Sequence, residues 1–262
     1  MRKVIQTSKQ IFYPYQHYEV FMKMYKLFYL TAFCILFLLS VDSRAETSSG
    51  LSFSVKAMGG GWKAKNSREG ETLQSDEGRQ VGFSIAYLSG NFYTGLNLQG
   101  GEYKFEKEGP YQVTETGTDT VSNDTINRSE VDLVFGYYLT QRISVFFDIK
   151  GTTSTWQSNN YQQEYGGLGI GIAGYWPVSS DWKIYGSFGV IPSGEVKTNG
   201  KKIGKGKSSG LDIGALYSLS DSHRLMFGIK SSSYEYEFDN GGFQKHEIGG
   251  VYVGYNYAFN LN

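Results

Sequence analysis

From about residue 51 onward, apolar and polar positions alternate with a period of two, in runs separated by polar breaks. The clearest pair of runs spans 130–151. There Val131, Leu133, Phe135, Tyr137 and Leu139 alternate with Asp132, Val134, Gly136, Tyr138 and Thr140. After a polar turn at Thr140-Gln141-Arg142, Ile143, Val145, Phe147 and Ile149 resume the alternation against Ser144, Phe146, Asp148 and Lys150. Two period-two runs joined by a tight turn predict a β-hairpin.

The same unit recurs. Leu51–Ala57 is a first strand, and Val81–Tyr87 and Phe92–Leu98 flank a turn at Ser89-Gly90-Asn91. Leu168–Trp176 and Trp182–Val190 flank Ser179-Ser180-Asp181, Leu211–Leu219 and Leu225–Ile229 flank Asp221-Ser222, and Val251–Phe259 closes the series at ten strands. No helical period of comparable strength follows residue 45. The connections fall into two alternating classes. Four are turns of two or three residues; the others are longer polar breaks near 66–79, 106–128, 158–164, 198–209 and 239–246.

A soluble sandwich has no reason to sort its connections in this way, whereas a membrane barrel has short turns on the periplasmic side and longer loops outside. An open sheet edge in lipid would strand backbone N–H and C=O groups, so spanning strands must close into a barrel. The expectation is an all-β, closed antiparallel transmembrane β-barrel of about ten strands, with eight as the alternative count. Its outward face carries Leu, Ile, Val and Phe, with Tyr87, Tyr137, Trp176, Trp182 and Tyr217 near the turns, where an aromatic girdle lies. Its inward face carries Lys56, Asp132, Asp148, Lys150, Lys183, Asp212 and Lys230 among many Gly and Ser. Those charges are expected to pair or to meet water. Ten strands lie nearer the filled lumen of an eight-stranded barrel than the open channel of a porin.

The start of the chain reads differently. Lys23 and Lys26 precede an apolar run of 14 residues, Leu27–Ser40, and Ser43-Arg44-Ala45 sets small residues at the positions of a cleavage site. This is the layout of a secretory signal peptide, and the run is short for a spanning helix of about 20 residues. Residues 1–45 are read as an N-terminal extension plus signal peptide with cleavage after Ala45, and 46–262 as the barrel domain. Met22 and Met24 are alternative starts to Met1. The single cysteine, Cys34, lies in the apolar run, so the exported part has no disulfide. The chain has 25 basic and 25 acidic residues; taking out the six and two within 1–45 leaves 19 and 23, a net charge of −4. That balance argues against a nucleic-acid partner.

The leader, the alternating strands, the sorted connections and the final strand GVYVGYNYAF together resemble the small outer-membrane β-barrel proteins of Gram-negative bacteria, the OmpA/OmpX-like group in the broad sense. The resemblance covers 46–262. It implies residence in the bacterial outer membrane, lipid and lipopolysaccharide as surroundings, and delivery by the barrel-assembly machinery, which reads a terminal aromatic. Tyr257 and Phe259 fit that signal, although Asn260-Leu261-Asn262 follow. A monomer without cofactor or metal, and without enzymatic activity, is expected, with a structural or surface-interaction role through the outer loops. A narrow porin-like channel is the first alternative and a hydrolase at the rim the second.

Candidate chemistry is sparse. Ten strands is also the count of the omptin proteases, which share an acidic pair and an Asp-x-His pair at the outer rim. Asp221-Ser222-His223 is the one Asp-x-His here, but it falls in a short turn and no Asp-x-Asp exists. His246 beside Glu247 could serve a rim hydrolase as base, or form a dyad near Ser231–Ser233; a polar rim residue is the simpler reading. Lys201, Lys202, Lys205 and Lys207, with Lys197, lie in the break at 198–209 and are candidates for lipopolysaccharide phosphates. The acidic break holding Glu108, Glu115, Asp119 and Asp124 lacks EF-hand spacing and is read as an exposed loop.

Overall fold

A computed structural model describes residues 49–66, 70, 72–114, 118–119 and 122–261. The proposed signal peptide and its cleavage site lie outside the described residues, as does Glu115. The strands are β1 (Ser49–Lys65), β2 (Thr72–Gln74), β3 (Glu77–Ser89), β4 (Phe92–Glu108), β5 (Gln112–Val113), β6 (Thr118–Asp119), β7 (Ser122–Tyr138), β8 (Ile143–Trp156), β9 (Gln162–Pro177), β10 (Trp182–Thr198), β11 (Lys201–Ser218), β12 (His223–Phe238) and β13 (Phe243–Leu261). The ten long strands form one antiparallel sheet in chain order. It closes on itself where β13 pairs with β1, from Ser49↔Leu261 to Lys65↔Lys245. The short β2 covers the outer end of β1 beyond the point where β3 leaves it.

One end carries the four predicted tight turns. Three share a local device. Thr140 Oγ1 accepts hydrogen bonds from the N–H groups of Arg142 and Ile143 (3.2 and 3.1 Å), Ser179 Oγ from Asp181 and Trp182 (3.3 and 3.2 Å), and Ser220 Oγ from His223 (3.3 Å). A short hydroxyl side chain here replaces the missing ladder partner. The fourth turn uses Gly90 at φ +58°.

The other end departs from the expected long loops. β10 and β11 continue to Thr198 and from Lys201, so the lysine-rich break is a two-residue hairpin with Asn199 and Gly200 at φ +48° and +80°. Positive φ at both central residues makes the primed turn that matches strand twist, which is why Asn-Gly stands there. The polarity that reads as loop in this region belongs to strands that have left the membrane. β1, β4, β7 and β10 each have 17 residues, against about 9–11 needed to cross the hydrocarbon layer.

The outer wall records that crossing in three tiers. Nearest the turns is an apolar belt, with Val81 62%, Ile170 61% and Val251 65% exposed to the surroundings. It is edged at the turn end by aromatic pairs, Phe92 against Tyr137 and Trp182 against Tyr217 (both 4.9 Å between centroids), and by Arg142 over the Trp176 ring. Above the belt, the next outward position is glycine or serine on eight strands: Gly59, Gly100, Ser129, Gly151, Gly166, Ser209, Ser231 and Gly249. Beyond these, outward positions are charged and pair across neighbouring strands, as in Arg79–Glu102, Lys207–Glu235 and Lys202–Glu195. Such exposed pairs contribute little stability and mark a wetted wall.

The depth assignment is testable by charge insertion. Ile172→Arg, at mid-belt, is expected to cost about 2–4 kcal/mol. Gln162→Arg, outward on the same strand above the belt, is expected to stay within about 0.5 kcal/mol. Urea unfolding in phospholipid vesicles measures both, and equal costs would overturn the assignment.

Candidate functional site

Inward-facing residues divide the lumen into two storeys. The upper storey is a dry aromatic core of Trp62, Tyr103, Phe105, Ile126, Trp156, Tyr165, Tyr234, Tyr236 and Ile248, each at most 5% exposed. Trp62 meets Tyr103, Phe105 and His246 edge-on at 5.4–5.9 Å, and aromatic pairs favour that arrangement. Arg128 lies within this storey, its guanidinium 4.6 Å from the Tyr234 ring centre and donating to Ser154 Oγ at 2.9 Å.

The connection between β4 and β7 folds inward over the core. Val113, on β5, is buried; its N–H donates to Tyr161 Oη at 2.7 Å. Its carbonyl accepts from Tyr161 Oη (2.9 Å) and Thr198 Oγ1 (3.0 Å). Gln112 exchanges amide hydrogen bonds with Asn159, and Gln244 donates to the Tyr111 carbonyl. This loop, which the sequence pattern presents as an exposed acidic segment, is in part a lid. Asp124 lies in β7 and faces in, where it accepts from the N–H and hydroxyl of Ser158 (3.1 and 2.7 Å).

The lower storey holds a cavity of about 290 Å³. Six of the seven predicted inward charges line it: Lys56, Asp132, Asp148, Lys150, Asp212 and Lys230. Lys183 also faces in but stands apart near the turn end, 5.9 Å from the Tyr175 ring centre. Lys56 reaches across the lumen to Asp212 (3.4 Å), which also accepts from Tyr252 Oη at 2.5 Å; Tyr185 Oη bonds Tyr252 in turn. Lys150 pairs with Asp132 (3.5 Å) and with Glu130 (3.3 Å).

Glu130 is the centre of this network and is absent from the sequence-based set. It also binds Lys230 (3.0 Å) and accepts from Tyr234 Oη (2.9 Å), while Lys230 donates to Gln99 Oε1 at 2.6 Å. Glu130 has the parity of Asp132 and Arg128, so carrying the alternation two and then four residues back from Asp132 along the strand identifies both. Alternation places Tyr234 and Tyr252 inward as well, but only the closed barrel shows that they meet Glu130 and Asp212.

The candidate catalytic groups are scattered. Asp221 and His223 lie at the turn end, away from the outer rim, where His223 bonds Tyr255 Oη and contacts Tyr257 at 5.0 Å between centroids. His246 is no rim residue: it is 1% exposed inside the aromatic core, and its Nδ1 accepts the Trp62 indole N–H at 3.1 Å. Glu247 faces the other way and pairs with Lys245 (2.7 Å). Ser231 and Ser233 face outward; Ser232 faces inward and is buried, but it does not bond His246, whose Nδ1 is taken by Trp62 and whose Nε2 has no hydrogen-bond partner. No group of three or more metal-ligating side chains exists among the described residues.

The surface lysines form a strip rather than a mobile loop. Lys202, Lys205 and Lys207 point outward from β11 above the belt, and Lys201 stands at its tip. Lys202 and Lys197 flank Glu195 (3.3 and 3.4 Å) and hold its carboxyl below the ordinary range through hydrogen bonds.

No known family model matches the chain, and no curated protein matches it in sequence. Solved structures do match in shape. The outer membrane protease OmpT of Escherichia coli is 11% identical with a TM-score of 0.53, the match covering 85% of this chain and all of that one. The beta domain of the Bordetella autotransporter BrkA (14%, TM-score 0.38, covering 82% and 100%) and the Pseudomonas putida toluene transporter TodX (9%, 0.32, covering 84% and 92%) are more distant in shape. The OmpT likeness extends to the fold alone. Together with the closed sheet and the apolar belt, it makes this chain an outer-membrane β-barrel.

Removal of the network's centre provides a test. Glu130→Ala leaves Lys150 and Lys230 without their shared partner in a confined lumen, and is expected to cost about 3 kcal/mol. Glu195→Ala, at the wet rim, is expected to cost less than about 1 kcal/mol. Urea denaturation of the two refolded variants gives both numbers.

Proposed function

We propose that this chain is a sealed, monomeric, non-enzymatic barrel of the outer membrane that holds a rigid charged collar above the lipid and works through that collar. The observation that carries this reading is the aromatic storey. A transport path would have to pass Trp62, Tyr103, Trp156 and Tyr234, each at most 1% exposed, beneath a lid fastened at Val113. Filling a lumen with interdigitated aromatics favours rigidity over passage. The groups that a rim hydrolase would need do not gather at the rim: Asp221 and His223 lie at the turn end, and His246 lies inside the aromatic core. Grouping with the OmpA/OmpX-like barrels rests on the leader, strand pattern and small size.

The collar's partner, in this reading, is the anionic sugar and phosphate layer of lipopolysaccharide. Lys202, Lys205 and Lys207 would supply point charges just above the belt, where phosphates lie. The Gly/Ser ring beneath them leaves most of the wall without bulky side chains at that depth. A narrow channel is the second reading, favoured by the polar cavity of the lower storey.

Two measurements separate these readings. In planar bilayers the refolded protein is expected to give no steady conductance, and a stable open level would sink the sealed-barrel proposal. The triple variant Lys202→Gln, Lys205→Gln, Lys207→Gln is expected to fold normally but to lose most of its preference for lipopolysaccharide-containing vesicles over phospholipid ones. An unchanged preference would remove the collar as the contact.

A further inference from the structure

The charges at mid-lumen balance. Glu130, Asp132, Asp148 and Asp212 stand against Lys56, Lys150 and Lys230, with Arg128 beside Glu130 and Lys230 just above. Nearer the turns the inward face carries two more cations, Lys183 on β10 and Arg224 on β12, and no carboxylate. An apolar step separates them from the network. Met58, Met226 and Tyr252 form a small buried cluster, with Tyr185 and Leu216 packed on it. Tyr185 and Met226 are the next inward residues above Lys183 and Arg224 on the same strands, and Leu216 is opposite both Lys183 and Met226. The cluster therefore stands between these two cations and Asp212.

Lys183 and Arg224 are left with each other. Lys183 lies 5.9 Å from the Tyr175 ring centre, and the charged group that acts on it is Arg224, of the same sign. Arg224 donates to the backbone carbonyl of Asp221 at 3.3 Å. Neither forms an ion pair with a described residue. Asp181 and Asp221, the carboxylates nearest in sequence, are exposed in the turns. Both cations are half-buried, inside the rim of a concave opening set in lipid. Low-dielectric walls concentrate the field of such charges in the opening and raise the local concentration of anions. Like charges held close there repel, and one anion shared between them removes that cost. The donors suit an oxyanion with several oxygens: Arg224 offers a planar fork, Lys183 a point charge and Tyr175 a hydroxyl.

We infer that the turn-side mouth of the barrel binds a phosphate-class oxyanion between Lys183 and Arg224. The site is independent of the lysine collar, which lies at the opposite end of the strands. A free phosphate and the headgroup of a lipid in the turn-side leaflet present the same chemistry to it.

The test uses the full chain refolded in an uncharged detergent without phospholipid. Calorimetric titration with sodium phosphate, against sodium chloride at equal ionic strength, is expected to show saturable binding. The double variant Lys183→Gln, Arg224→Gln is expected to lose it, whereas the collar variant Lys202→Gln, Lys205→Gln, Lys207→Gln keeps it. A short-chain phosphatidylglycerol titrated in the same way identifies the source. Tighter binding than inorganic phosphate supports the site as a headgroup site, and weaker binding supports it as a site for soluble phosphate. Saturable binding of neither probe overturns the inference, and so does binding that survives the double variant. Should that variant fail to fold, crystals of the unmodified protein soaked in arsenate decide the matter. An anomalous peak between Lys183 and Arg224 supports the site, and no peak at the mouth overturns it.

Discussion

Every feature of this molecule depends on the need to satisfy backbone hydrogen bonds where no water is present. In hydrocarbon each unpaired N–H or C=O costs several kcal/mol, and a sheet can avoid that only by having no edge. The ladder between β13 and β1, unbroken from Ser49↔Leu261 to Lys65↔Lys245, is therefore what permits the other nine ladders to exist in a membrane. Once the sheet is closed, strand parity leaves each side chain one of two destinations, lipid or lumen. Asp132, Asp148 and Lys150 face inward because Val131, Phe147 and Ile149 must face out.

The strands then outrun the membrane, and this changes what the lumen is. Within the belt, the inward face sets serines, glycines and a charge network around Glu130 among larger side chains such as Tyr93, Phe146, Tyr185 and Tyr252. Above the belt the wall itself is wetted, so the same parity now places charge outside and aromatics inside. Trp62, Tyr103, Trp156 and Tyr234 form the kind of core found in a soluble domain, enclosed by a barrel that continues without interruption from below. Polarity inverts across the Gly/Ser ring, and the two storeys follow from that inversion. His246 and Arg128 show its effect. Both are polar residues that the local sequence places at an exposed rim, and both are packed inside because their parity points inward at a height where inside is dry.

Much of the architecture was legible from periodicity. Ten strands, their outward residues, the four tight turns and six of the cavity's charges follow from alternation and turn chemistry, since both act over a few residues. The upper half of the barrel was not legible in the same way. Glu102–Glu108 and Lys197–Lys207 alternate too, but with charged residues on the outer face and small or aromatic ones on the inner, a pattern that resembles loop wherever a strand is expected to show an apolar outside. The inward course of the loop at Val113 depends on Tyr161 and Thr198, 48 and 85 residues away, and no local signal encodes it.

By itself, then, the sequence determined the class of fold, the lipid-facing belt and the sign of most lumen charges, because a two-residue period is a local property. Tertiary structure alone decided which of those charges meet. Lys56 finds Asp212 from 156 positions away, and Lys230 finds Glu130 from 100, because closure brings opposite walls within a side chain's reach. It also left Asp148 without an ion pair among the described residues. The isolation of Asp148, the packed aromatic storey and the burial of His246 arise from distances across a closed lumen, which no spacing along the chain expresses.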